Sequence, residues 1–180
     1  MATLVGQDGT TFVTPADTAY GAGGGRALWM EFQSYVPELH GFQPLANGNA
    51  TTAYVYIADF GTANNVKVAV YRQSDRVLLA QSADIAAGGG TGLRSASITY
   101  TTSVSTRVYL AVISDNAGIP SLRYDSTGAD YLVYEDPMTY AALDDPLPAG
   151  TETPGRAFII YLDGTVTGGS SKLLLQLAQY

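Results

Sequence analysis

Between residues 66 and 71 the chain alternates strictly: Val66, Val68 and Val70 fall on one side of an extended backbone, and Lys67, Ala69 and Tyr71 on the other. A helix needs apolar residues three and four apart, so a period of two excludes it here. The same period returns at Leu28, Met30 and Phe32 against Trp29 and Glu31. It returns at Ala96, Ile98 and Tyr100 against Ser95, Ser97 and Thr99, and at Val108, Leu110 and Val112. Near the end, Phe158, Ile160 and Leu162 alternate with Ile159 and Tyr161. A chain patterned this way throughout is predicted to be all-β, an antiparallel β-sandwich of about eight to ten strands.

The connections support that reading. Residues 72–76 (Arg-Gln-Ser-Asp-Arg) are polar and separate the valine strand from a returning strand over residues 77–82, which predicts a β-hairpin. Residues 53–60 are apolar on both faces, as suits a central strand. Twenty glycines and eight prolines punctuate the runs, and residues 88–92 form a glycine-rich loop. Residues 135–155 carry four prolines and read as a long surface loop, and Asp163-Gly164 reads as the end of the last clear strand.

At 180 residues, 46% of them hydrophobic and 14% charged, the chain suits one folded domain over residues 27–166. Residues 1–26 read either as an N-terminal arm or as a first strand with a wide turn. Residues 167–180 form a leucine-rich extension that suits a strand or an amphipathic helix equally.

A net charge of −7 provides no basic stripe for phosphates and would be repelled by an anionic bilayer, so neither nucleic acid nor a membrane is expected as a partner. The absence of cysteine excludes disulfides, thiolate catalysis and cysteine-ligated metals. The first twelve residues lack a cationic start and apolar stretch, so no signal peptide is expected.

Catalytic material is thin. His40 is the one histidine, and no Gly-x-Ser-x-Gly elbow exists to partner it. Glu31, Asp59, Glu135 and Asp136 are the carboxylates to weigh as a glycosidase pair, against the plainer reading of solvated acids on an acidic protein. No cofactor is expected. Calcium is the one metal the loops suit, with oxygen ligands offered by Asp115-Asn116 and Asp144-Asp145, and further by Asp125 and Asp130. The stronger binding signal is aromatic: thirteen tyrosines and one tryptophan provide flat faces with polar edges. Trp29, Tyr131, Tyr134 and Tyr140 are the ligand-binding candidates, the three tyrosines clustering in sequence with Tyr124 around the proline-rich stretch. Cross-strand packing is the competing role for each.

Three blocks carry a resemblance. Val66-Lys67-Val68-Ala69-Val70-Tyr71 is followed by Leu78-Leu79-Ala80-Gln81-Ser82, and then by Tyr109-Leu110-Ala111-Val112-Ile113-Ser114-Asp115. Their order resembles jelly-roll β-sandwich modules found as accessory domains of bacterial surface and secreted proteins and in tailed-phage virion proteins. Asp145-Pro146-Leu147-Pro148 and Phe158-Ile159-Ile160-Tyr161 fit the same ending. The resemblance implies a jelly-roll-like topology and a non-catalytic attachment or structural role. With no signal peptide expected, the leading expectation is a phage virion protein, a capsid decoration or head or tail appendage. It would pair with other virion proteins or with itself, for instance as a homotrimer. The alternative is a carbohydrate-binding or adhesin module recognising a cell-surface glycan, and a polysaccharide-acting enzyme is third.

Overall fold

The computed structural model describes residues 1–7, 16–21, 26–32, 41–60, 65–86, 90–115, 121–125, 131–137, 140–147, 151–154 and 157–167. Among them there is no helix. Fourteen strands, some of only two to four residues, pair antiparallel into two sheets of seven, so the protein is an all-β sandwich.

The front sheet holds β1 (Ala2–Gln7), β2 (Ala16–Gly21), β4 (Gly48–Asp59), β8 (Gly92–Thr102), β10 (Ser121–Asp125), β13 (Ala157–Phe158) and β14 (Ile160–Val166). Strand β4 is its hub, with β8 along one side, and β14 followed by β10 along the other. The back sheet holds β3 (Arg26–Phe32), β5 (Asn65–Arg72), β6 (Leu78–Gln81), β7 (Ile85–Ala86), β9 (Val108–Ser114), β11 (Tyr131–Pro137) and β12 (Thr151–Pro154). Its order is β12-β11-β3-β9-β5-β6, and β7 also pairs with β5.

The expected alternation builds the core. Val66, Val68 and Val70 of β5 and Val108, Leu110 and Val112 of β9 face the front sheet. There they meet Val55 and Ile57 of β4, Ile98 of β8, and Ile160 and Leu162 of β14 in one buried cluster. Burying side chains of this size contributes about 1.5–3 kcal/mol each. The hairpin is also present: β5 pairs with β6, and the turn closes with Arg72 N–H donating to Val77 O at 2.9 Å and Arg76 N–H to Arg72 O at 2.8 Å. Arg76 closes it in the left-handed region at φ 61°.

Of the two readings of the N-terminal segment, residues 2–7 take the strand: β1 pairs with β14, and its Leu4 and Val5 are fully buried. Two details differ from the sequence expectations. The proline-rich stretch is not all loop. Residues up to Pro137 belong to β11, and Thr151–Pro154 adds an edge strand beside it, where a proline's missing N–H costs no ladder bond. Asp163-Gly164 does not end a strand. It marks a bulge inside β14, which runs on to Val166. A Cβ at Gly164 would stand 2.0 Å from Asn49 O and 2.7 Å from Ala50 Cα, so glycine is what lets β14 approach β4 there.

The two sheets treat their outer sides differently. Strand β9 is buried at every position, because Tyr109, Ala111 and Ile113 join Ala69, Tyr71 and Leu147 in a second cluster outside the back sheet. Residues 140–147 supply the cover. Leu147 is 1% exposed, Tyr140 and Leu143 pack beside it, and Leu147 N–H donates to Arg76 O at 2.9 Å. Asp145 Oδ1 accepts from Leu78 N–H at 3.0 Å. On the front sheet, burial alternates along β4, β8 and β14, the pattern of a sheet with one wet side.

Candidate functional site

That wet side is the candidate site. It is built from the residues of β4, β8 and β14 that point away from the core. Tyr54 of β4 lies opposite Tyr161 of β14 and opposite Ser95 of β8, and Tyr56 lies opposite Leu93. The Tyr54 and Tyr161 rings stack with centroids 4.7 Å apart and planes 8° from parallel. All three tyrosines are half-buried, whereas Leu93 is 48% exposed. Toward the other end the surface becomes hydroxyl-rich, with Ser97, Thr99 and Thr101 exposed on β8. Thr101 Oγ1 donates to Asn49 Oδ1 at 3.2 Å.

Asp163 lies between the two zones, opposite Thr52 and Thr3. Its Oδ1 is buried and accepts no hydrogen bond from the protein. A buried carboxylate oxygen is costly unless a donor reaches it. Stacked rings and a field of hydroxyls equip the face to hold a flat, polar surface. They supply no nucleophile–base pair.

The aromatic candidates from the sequence lie elsewhere. Trp29 is the register partner of Tyr134 and of Ala111, and Tyr131 is that of Phe32, all in the back sheet. Tyr124 is opposite Phe158 in the front sheet. Tyr140 pins the cover. Its hydroxyl donates to Asp84 Oδ1 at 2.6 Å, and the Lys67 ammonium lies 4.3 Å from its ring centroid. Lys67 Nζ is also 3.6 Å from Asp84 Oδ1. Burial first, then the Asp84 hydrogen bond and the charges of Asp84 and Asp115, hold the Tyr140 phenol well above its ordinary range.

The carboxylate candidates are dispersed. Asp115 lies beside Asn65, whose Nδ2 donates to its Oδ2 at 2.7 Å. Asp145 lies beside Leu78, which pairs with Tyr71 six residues further along β5, a span of about 20 Å. Asp144 is exposed, and its charge, with that of Asp145, adds to burial in raising the Tyr71 phenol. Asn116, Asp130 and His40 lie outside the described residues, and Asp125 is opposite Ala157. Glu31, Glu135 and Asp136 belong to the back sheet, and Asp59 to the front. Among the described residues no group of three or more histidines or carboxylates is placed to hold a metal ion.

Sequence reading passed over Tyr54, Tyr56, Tyr161 and Asp163. The first two sit in a run apolar on both faces, and which face stays wet depends on where residues 140–147 pack. The usable signal was the hydroxyl-rich side of β8, which marks the wet face of its sheet. Among the described residues, the β-sandwich is covered outside β5 and β9 and alternates in burial along β4, β8 and β14. No protein-family model matches the chain, and no curated protein matches it.

Proposed function

We propose that this chain is a non-catalytic attachment module of jelly-roll type that holds a neighbour against the open face of its front sheet. The carrying observation is the asymmetry of the sandwich. Among the described residues, 140–147 pack over the outer side of β5 and β9, whereas the front sheet presents Tyr54, Tyr56, Tyr161 and Leu93. Tyrosines on a flat face are efficient contact residues, because they add area at low entropic cost and keep a polar edge. Combined with strand motifs that resemble those of tailed-phage modules, this favours a virion component, a decoration or appendage protein bound to another virion protein or to its own copies.

Sedimentation of the full chain, alone and mixed with the products of adjacent genes, tests the reading. The wild type is expected to associate, and a Tyr54→Ser, Tyr161→Ser, Leu93→Ser variant with unchanged circular dichroism is expected not to. Equal association by the variant would move the contact surface off this face.

The stacked Tyr54 and Tyr161 rings beside exposed Ser97, Thr99 and Thr101 favour glycan recognition as a second reading, because a sugar ring packs on tyrosines while its edge meets hydroxyls. Retention on a neutral glycan array, lost in the triple variant, would place this reading first.

A further inference from the structure

At the end of the sandwich where Gly48 pairs with Thr102, three connections meet: residues 41–47, the β5–β6 turn and the β8–β9 turn. They enclose an open cleft of about 300 Å³. Its walls carry two guanidinium groups, Arg72 and Arg107, and two amides, Gln43 and Gln73. Three hydroxyls, Ser74, Ser105 and Thr106, complete it. The lining contains no carboxylate.

The walls are held together before any ligand arrives. Gln73 N–H donates to Arg107 O at 3.0 Å, tying the two hairpin turns. Phe42 and Val108 exchange backbone bonds of 2.7 and 3.0 Å, which bring residues 41–47 alongside. Arg107 Nη1 donates to Gly41 O at 3.0 Å, and the Gln43 amide donates to Val104 O. Partial burial pulls the Arg107 guanidinium down from its ordinary value, yet an arginine stays charged. Arg72 meets Asp75 at 3.4 Å with both side chains more than 40% exposed, a weak pair that a better-placed anion can displace.

Two positive charges, one of them held by Gly41 O, beside hydroxyls and amides are chemistry for a ligand with one acid and several hydroxyls. A protein of net charge −7 repels polyanions at long range, so recognition here has to be short-range and bidentate, which suits a single carboxylate. The volume lies at the small end of ligand sites, the scale of one sugar ring. The geometry points to a binding site for a uronic acid residue, its carboxylate between Arg72 and Arg107 and its ring hydroxyls on Gln73, Ser74 and Thr106. This site is at a different place from the open face and does not rest on the attachment reading.

The test is a titration of the full isotope-labelled chain with methyl glucuronoside, methyl glucoside and acetate, followed by amide chemical shifts. Glucuronoside is expected to move residues 72–74 and 105–107 saturably, and the other two probes to leave them in place. Arg72→Gln is expected to weaken binding by roughly tenfold or more. Asp75→Asn, which removes the competing carboxylate while keeping an oxygen for Val77 N–H, is expected to strengthen it. The triple variant of the open face is expected to bind as the wild type does. Equal responses to glucoside, or to acetate, or no response to glucuronoside, would overturn the site, as would an Asp75→Asn protein that binds no better.

Discussion

The outer sides of the two sheets start from similar strands and end differently. Strands β5 and β9 carry Ala69, Tyr71, Tyr109, Ala111 and Ile113 outward, and residues 140–147 bury them. Strands β4 and β14 carry Tyr54, Tyr56 and Tyr161 outward, and these remain half-buried beside an exposed Leu93. Tyrosine on an outward position therefore does not by itself mark a binding surface. What separates the two is whether the chain supplies its own cover, and that cover is made by contacts about seventy residues apart in sequence, as between Leu78 and Asp145.

The largest expected effect is at Gly164, where the backbones of β14 and β4 approach most closely. Gly164→Ala puts a Cβ 2.0 Å from Asn49 O, and neither group is a flexible side chain that can give way. A loss of about 3 kcal/mol or more is expected in urea unfolding. A loss under about 1 kcal/mol would mean that β14 and β4 are not this close.

The contrast between faces is sharpened by two leucines. Leu147→Ala should cost about 3 kcal/mol, because it empties the centre of the cover, whereas Leu93→Ser on the open face should stay within about 0.5 kcal/mol. Comparable losses at both sites would erase the distinction.

The pin of the cover is expected to show in alkali. The phenols of Tyr71 and Tyr140 are both raised from 10.0, chiefly by burial. Below pH 10 the folded and unfolded chains hold these protons alike, and the stabilisation is fully present. As pH rises further the unfolded chain releases protons that the folded chain keeps, so stability falls. Tyr140→Phe should cost about 1–2 kcal/mol at neutral pH through the lost bond to Asp84, and should make the alkaline decline shallower. An unchanged slope in thermal melts between pH 9 and 11 would contradict the pin. The smallest effect belongs to the hairpin: Arg76→Gly relieves a left-handed residue and should gain about 0.5 kcal/mol.

Much of the fold was legible because one face of each strand had to be apolar. Val66, Val68, Val70, Val108, Leu110 and Val112 point where their spacing predicts, and the polar residues 72–76 turn the chain as read. What period two cannot reveal is a second buried face. Tyr109, Ala111 and Ile113 alternate with the core residues and become buried only once residues 140–147 arrive. The same stretch hid its strands, since Pro137 and Pro154 read as breakers and are tolerated where they stand at strand ends. The aromatic cluster close in sequence, Tyr131, Tyr134 and Tyr140, is divided between β11 and the cover. The tyrosines that do stack, Tyr54 and Tyr161, lie more than a hundred residues apart and meet through antiparallel register alone.

Hydroxyl-radical footprinting of the full chain reads solvent access one side chain at a time and tests the covered-and-open account most directly. Tyr54, Tyr56, Tyr161 and Leu93 are predicted to be modified readily, and Tyr71, Tyr109 and Leu147 to be protected. Tyr71 and Tyr109 reacting as fast as Tyr54 and Tyr161 would contradict it.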